Sequence, residues 1–294
     1  MVREREHVLF IINPASGTGK ANKLPNYINQ GLDSSKYIPE IVYSKGPQTS
    51  QEIARNAMQN GIKKIFAAGG DGTVNEVASA LINTNCILGI IPMGSGNGFA
   101  RHLKIPINSQ KAISLINREK IAMIDYGIIN STPFFCTAGT GFDALVGYKF
   151  DQTKGRGFYN YFKTSAREYF RYKPQLYTLI GNEHIMDKEA FVITVANASQ
   201  FGNNAYIAPD ADVTDGLLDV TIISPFPKYL SPSIGIKLFN KKLGKSRYVE
   251  IFRTKNLTIK RYEEGYVHFD GEPKIMGDTL DFSIQHLGLK VYVP

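Results

Sequence analysis

The sequence predicts an α/β domain followed by an all-β domain, and three observations carry that expectation. Through the first 124 residues, short apolar runs alternate with segments of helical periodicity, the grammar of a parallel sheet with crossover helices. After Asp125 helical segments become scarce and short strands dominate, as in an antiparallel sandwich or barrel. A chain of 294 residues is also long for one core and fits about two domains, which places the expected boundaries at residues 1–124 and 125–294.

The first element is the apolar run Val8 to Ile12. It enters the loop Asn13-Pro14-Ala15-Ser16-Gly17-Thr18-Gly19-Lys20 and then a helix near Ala21 to Gly31 carrying Leu24, Tyr27 and Ile28. The loop superficially matches a Walker A pattern. That reading fails, because the first glycine would fall at Pro14 and Ala21 stands where the Mg²⁺-binding Ser or Thr belongs. A strand around Ile38 to Tyr43, ending at Ser44, and a helix from Ser50 to Asn60 come next.

Ile65, Phe66, Ala67 and Ala68 read as a buried strand leading into Gly69-Gly70-Asp71-Gly72-Thr73-Val74-Asn75-Glu76-Val77. Val74, Val77, Ala78 and Leu81 recur at the i, i+3, i+4, i+7 spacing of a helix, so the glycine turn sits at a helix N-terminus. Glycines let backbone N–H groups approach an anion, and the helix end adds partial positive charge. A carboxylate at Asp71 beside a phosphate calls for a cation between them or for a proton to abstract. The plain alternative is a Gly-Asp-Gly turn with a solvated Asp.

A fourth strand, Ile87 to Ile91, leads into a third glycine-rich loop, Pro92-Met93-Gly94-Ser95-Gly96-Asn97-Gly98-Phe99-Ala100-Arg101. In an open parallel sheet such loops gather at the carboxyl edge, where ligands bind.

In the second half, strands are expected at Phe134 to Ala138, Leu176 to Ile180, Phe191 to Ala196, Leu217 to Ile223, Asn256 to Arg261, Gly265 to Phe269, Thr279 to Ile284 and Leu289 to Val293. Asp215-Gly216, flanked by strand-like residues, reads by itself as a type I′ hairpin turn. Cys86 and Cys136 stand in apolar contexts, form no metal or disulfide pattern, and are expected in the core.

No apolar stretch approaches the roughly 20 residues that span a bilayer. The charged start MVREREH runs directly into a strand, so no signal peptide and a cytoplasmic location are expected. The net charge of +8 is unevenly spread, with Leu145 to Lys173 carrying +5 and Pro225 to Arg261 carrying +9. The first of these interleaves Phe158, Tyr159, Tyr161, Phe162, Tyr169, Phe170 and Tyr172 among Arg156, Lys163, Arg167 and Arg171. That mixture suits an anionic membrane surface. The alternative is a solvated helix whose aromatic face packs on the protein. Nucleic acid is not expected as a partner, since no RNA- or DNA-binding motif accompanies the charge.

Taken in order, NPASGTGK, GGDGTVNEV and PMGSGNGFAR resemble the nucleotide-binding half of the diacylglycerol kinase catalytic-domain family, which includes bacterial lipid kinases and sphingosine and ceramide kinases. The likeness continues through Asp125-Tyr126-Gly127, through Ala208-Pro209-Asp210 to Asp219-Val220, and through Asp270-Gly271-Glu272, so it covers nearly the whole chain. It implies an α/β nucleotide domain followed by an antiparallel β-sandwich domain for a lipid substrate, with the last strand returning to the first domain. It also implies ATP and Mg²⁺ as cofactors and a lipid hydroxyl at a membrane surface as acceptor, as in phospholipid biosynthesis. Peripheral membrane association follows from that, and a homodimer stays open.

By the same resemblance, ATP is held by Asn13, Pro14, Ala15, Ser16 and Gly17, by Ser44, by Gly70, Asp71, Gly72, Thr73, Val74, Asn75 and Glu76, and by Ser95. Asn97 and Arg101 position phosphate or the GGDG loop. Glu272 is the first candidate for the proton acceptor, Asp270 supports it or binds metal, and Asp71 is the rival base. Mg²⁺ is assigned to Asp212, Asp215 and Leu217. One position departs from the pattern: Gly98 stands where many bacterial diacylglycerol kinases carry an acid. The acceptor is therefore left among diacylglycerol, a sphingoid base, ceramide and another glycerolipid. Two other readings compete, a soluble NAD-kinase-like phosphotransferase and a catalytically silent nucleotide-binding module.

Overall fold

The computed structural model describes residues 4–17, 19–152, 165–181 and 184–294. Arg156, Phe158, Tyr159, Tyr161, Phe162 and Lys163 of the expected basic and aromatic segment lie outside the described residues. The chain divides into two compact units, residues 1–124 with 287–294, and residues 125–286.

The first unit alternates strand and helix: β1 (Glu6–Ile12), α1 (Leu24–Gly31), β2 (Tyr37–Tyr43), α2 (Thr49–Gln59), β3 (Lys64–Gly69), α3 (Asp71–Leu81), β4 (Ile87–Pro92), α4 (Gly98–His102) and α5 (Ser109–Ile116). Its strands run β2-β1-β3-β4 and are all parallel. Parallel strands with helices on both faces must be apolar along their whole length. Accordingly Val8 to Ile12 and Ile65 to Ala68 are all buried. The expected first helix begins as a 3₁₀ turn, Lys20–Lys23, before Pro25 sets the first turn of α1.

β5 (Ile121–Ile129) leads out of this unit, and β16 (Thr279–Tyr292) leads back in. Lys290 and Val291 of β16 pair in parallel with Ile87 and Leu88 of β4. There Tyr292 lies 5.5 Å from Phe66, whose ring stacks on Phe10 at 4.6 Å. The expected strands Thr279 to Ile284 and Leu289 to Val293 are thus one strand, with Leu287 at φ 49° where the chain passes between units.

The second unit is a sandwich of antiparallel sheets. One holds β16, β13 (Asn256–Lys260), β8 (Gln175–Gly181) and β9 (His184–Ala190), with β6 (Thr132–Phe134) on β5. The other has the order β12 (Val249–Thr254), β11 (Leu218–Ile223), β10 (Val192–Ala196), β7 (Thr137–Gly141), β14 (Gly265–Phe269) and β15 (Glu272–Met276). Phe134, Tyr177, Ile193, Val220, Ile259, Val267, Leu280 and Phe282 interleave between the sheets. A helix α6 (Phe142–Asp151) follows β7, and a second cluster covers the outer side of β10 and β11, where Val192, Ala196, Ile223 and Leu243 receive Ile234 and Leu238 of α7 (Ser231–Phe239). With both faces covered, every residue of β10 and β11 is buried, Thr194, Asp219 and Thr221 included.

Two expectations change. Phe134 to Ala138 is two strands, β6 and β7, because residues 135–137 turn their N–H groups onto Asp270. Asp215-Gly216 is not a hairpin: it precedes β11, whose ladder partners are β10 and β12. The Asp-Gly pair that does form a two-residue hairpin is Asp270-Gly271, between the paired residues Phe269 and Glu272, with φ of 48° and 85° as a type I′ turn requires.

Candidate functional site

In the first unit, the three glycine-rich loops follow β1, β3 and β4 and fasten to one another. Asn13 is the first link: its backbone N–H donates to the Ala68 carbonyl at 2.9 Å and its side-chain amide to Thr73 Oγ1 at 3.0 Å. Asn13 Oδ1 accepts from the Ala15 N–H at 3.0 Å, which folds Pro14, Ala15 and Ser16 back over the loop's start. The second link joins GGDG to the third loop, where the Met93 N–H donates to the Gly69 carbonyl at 2.8 Å. Beside it a Cβ on Gly94 would lie 2.6 Å from the Gly70 Cα, so the two loop backbones approach as only glycine allows.

Asn97 braces the third loop internally. Its side chain accepts from the Gly94 N–H at 2.9 Å and donates to the Gly94 carbonyl at 2.7 Å, with the residue itself left-handed at φ 50°. Arg101 Nε donates to the Gly96 carbonyl at 3.0 Å, which ties α4 to the same loop and leaves Ser95 exposed at its tip.

α3 opens at Asp71 with Gly70 as its N-cap, a residue with no capping side chain. The N-terminal end of α3, carrying Asp71 and Gly72, thus faces a loop set built from backbone amides. Val74 lies in the core. Ser44 is buried at the end of β2, its N–H on the Ile12 carbonyl at 3.0 Å. Glu76 stands apart from the loops: its carboxylate accepts from the Gln48 and Ser50 N–H groups at 2.8 and 3.0 Å and caps α2. Asn75 accepts from the Ser79 hydroxyl at 3.4 Å, along α3.

In the second unit, the three acidic motifs are joined by hydrogen bonds. Asp270 is buried, and its carboxylate accepts from the N–H groups of Phe135, Cys136 and Thr137 at 2.8, 2.7 and 3.1 Å. Asp125 is fully buried and accepts from the Gly216 N–H at 2.7 Å, while its other oxygen lies 2.8 Å from His286 Nδ1. Asn197 bridges the two acids by donating to the carbonyls of Asp125 and Phe135 at 3.0 and 2.9 Å. The type I′ turn then places Glu272, an exposed residue, at the first position of β15.

Around Asp215 the donors are oxygens. Asp212 Oδ1 accepts from the Thr214 N–H and hydroxyl at 2.9 and 2.7 Å, and Asp215 Oδ1 from the Leu217 N–H at 2.9 Å. Two carboxylates and a backbone carbonyl are the type of hard oxygen ligand that Mg²⁺ takes, so the residue types present suit that ion. Among the described residues no three His, Cys, Asp or Glu side chains gather as a metal cluster, so an ion here would complete its shell with water.

Arg253 shares this ground: its guanidinium lies 3.7 Å from Asp215 and 3.2 Å from Asp219, and donates to the Asp210 carbonyl at 2.7 Å. Burial pushes the Asp219 carboxyl above its ordinary pKa, and the bond from Arg253 pulls against that shift.

Sequence reasoning missed Asn197, His286 and Arg253. Only Asn197 carried a signal, as a polar residue directly after the apolar run of β10. Cys86 and Cys136 are buried, as expected.

Two family models match the chain. The diacylglycerol kinase catalytic domain covers residues 7–129, and the YegS C-terminal NAD kinase beta sandwich-like domain covers residues 136–281. A protein of Pseudomonas aeruginosa named a probable lipid kinase YegS-like is 30% identical over 83% of this chain and 81% of its own length. A similar protein of Enterobacter, with the same name, is 28% identical over 86% and 85%. An uncharacterised protein of Synechocystis is 31% identical, and this chain spans only 58% of its length. Among solved structures, one described as a diacylglycerol kinase from Bacillus anthracis has a TM-score of 0.76 at 21% identity, with 98% of this chain and 97% of that one covered. At that identity the likeness speaks for the fold. The chain belongs to the YegS-like lipid kinase family, with a diacylglycerol kinase catalytic domain, and is an ATP-using kinase of that family.

Proposed function

We propose that this kinase transfers the γ-phosphoryl group of ATP to a hydroxyl group of a membrane lipid, diacylglycerol or a sphingoid base, at the surface of an anionic membrane. The observation that carries the reading is the mutual fastening of the three glycine-rich loops in the first unit, which makes one phosphate cradle out of Asn13 to Gly17, Gly70 to Thr73 and Ser95. The lipid acceptor is supported by the relatives' names and by the surplus of basic residues.

In the reaction the acceptor oxygen forms a bond to the γ-phosphorus while the bond to the β–γ bridging oxygen breaks and ADP departs. The hydroxyl proton passes to Glu272, with Asp71 as the competing acceptor. Asp270, whose oxygens hold three backbone N–H groups, acts by fixing the turn that presents Glu272. Mg²⁺, when bound, neutralises phosphate charge; Asp212, Asp215 and Leu217 are the residues we assign to hold an ion in the second unit.

The test is incubation with labelled ATP and a mixed lipid extract supplemented with NAD, with the products resolved. A labelled, chloroform-soluble phosphate ester is expected. Label in NADP alone would replace the lipid acceptor with a soluble one, the NAD-kinase-like reading.

A further inference from the structure

Helix α7 carries two apolar stripes, and among the described residues only one of them packs into a core cluster. Ile234 and Leu238, four residues apart, pack on the cluster of Val192, Ala196, Ile223 and Leu243. On the remaining surface Ile236 is 62% exposed and Phe239 44% exposed, and the turn before the helix adds Tyr229 at 79%. Phe170 lies close by, 69% exposed, with Lys228 Nζ over its ring at 5.3 Å and bonded to its carbonyl at 3.1 Å. An amphipathic helix needs one apolar face for packing. The second therefore calls for a partner.

Charge selects that partner. From Ser224 to Val249 the chain carries Lys228, Lys237, Lys241, Lys242, Lys245 and Arg247, and no Asp or Glu. A second copy of the chain meeting this patch face to face would set six cations against six. Nucleic acid would satisfy the cations and leave Tyr229, Ile236 and Phe239 in water. An anionic bilayer accommodates both sets, with apolar side chains at the acyl boundary and lysines among the headgroups.

We propose that α7 and the turn before it form the docking element of this enzyme, inserting Tyr229, Ile236 and Phe239 into the interface of an anionic bilayer. The inference rests on the lipid-acceptor reading for its purpose, and it is tested separately from that reading.

The chain contains no tryptophan, so one introduced residue reports alone. Ile236→Trp is placed on the helix, and Tyr262→Trp, at a residue 98% exposed between β13 and β14, serves as the control. Vesicles of phosphatidylglycerol and phosphatidylcholine should shift Ile236→Trp emission to the blue, and bromine-labelled acyl chains should quench it, with neither effect at Tyr262→Trp. The double variant Ile236→Asp with Phe239→Asp should bind the same vesicles at least tenfold more weakly. It should keep the parent rate on a short-chain, water-dispersed acceptor. Binding should also weaken as salt rises from 0.1 to 1 M, since screening shortens the reach of the lysines from about 10 to about 3 Å.

The proposal is overturned if Ile236→Trp shows no shift, if the control shifts as much, or if the double variant binds as the parent does. A blue shift that grows with protein concentration without vesicles would also overturn it, in favour of contact between copies. A parent that inserts α7 yet phosphorylates no lipid would sink the lipid-kinase reading alone. A parent that phosphorylates lipid without inserting α7 would sink this inference alone.

Discussion

Asp71 opens a helix, Glu272 opens a strand, and Asp270 is a buried residue of the turn before it, so replacing each tests a different thing. Asp71→Asn removes charge with little change of shape, and turnover is expected to fall roughly 10²- to 10³-fold with the circular dichroism spectrum unchanged. Glu272→Gln should lower kcat while leaving ATP affinity near the parent's, because accepting a proton acts only in the transition state. A variant of either residue that turns over at the parent rate would strip it of the role of base.

Asp270→Asn should act differently. Its NH₂ group replaces an acceptor oxygen that serves a buried N–H, so stability should fall by about 1–3 kcal/mol, read from urea unfolding. Activity should fall with it, through a displaced Glu272. The sequence made the acidic residues visible as motifs but did not reveal what each one holds. The partners of the Asp270 and Asp125 carboxylates lie 91 to 161 residues away along the chain, beyond any local pattern.

At the scale of elements, the three loops are legible because glycine punctuates each strand-to-helix junction. How they fasten to one another is not, since it depends on backbone approach between β3 and β4. Gly94→Ala tests that approach directly: the added methyl would meet the Gly70 backbone 2.6 Å away. Overpacking of this kind typically costs about 1–3 kcal/mol. The expectation is weaker ATP binding by calorimetry, with the spectrum of a folded protein retained. Unaltered ATP affinity would mean that the contact between these loops does not shape the cradle.

Three of the strands absent from the sequence expectations share a reason. β9, β12 and β15 are part-exposed edge or near-edge strands with many polar residues, so no apolar run announces them. The DG pair that does form a type I′ hairpin is the third in the chain, after Asp71-Gly72 and Asp215-Gly216. Both Asp215-Gly216 and Asp270-Gly271 carry the same local chemistry, and only the pairing of β14 with β15 selects between them. The aromatic segment divides in the same way. Tyr169 and Tyr172 join Phe142 and Phe191 in a ring cluster, while Phe170 faces out.

At the scale of the whole molecule, the end of the last strand, from Leu287 onward, belongs to the first unit. Leu289, Val291 and Tyr292 are each at least 98% buried there. Removing residues 287–294 would forfeit burial worth about 5–8 kcal/mol, comparable with the roughly 5–15 kcal/mol that holds a domain folded. Hydrogen exchange on the truncated protein should show protection lost across β1, β3 and β4 and retained in β10 and β11. Full protection of β3 and β4 after truncation would refute that dependence.

The route of β16 also sets a timetable for the living cell. Residues 1–124 emerge from the ribosome long before residues 287–292 exist, and at roughly 5–20 residues per second the interval is on the order of ten to thirty seconds. Throughout it β4 waits with an open edge, the side on which β16 will pair, and an unpaired strand edge invites association with other chains. Nascent chains of this kinase should therefore engage chaperones over the β4 region, and a ribosome stalled before codon 287 should display a polypeptide that carries every glycine-rich loop yet captures no nucleotide.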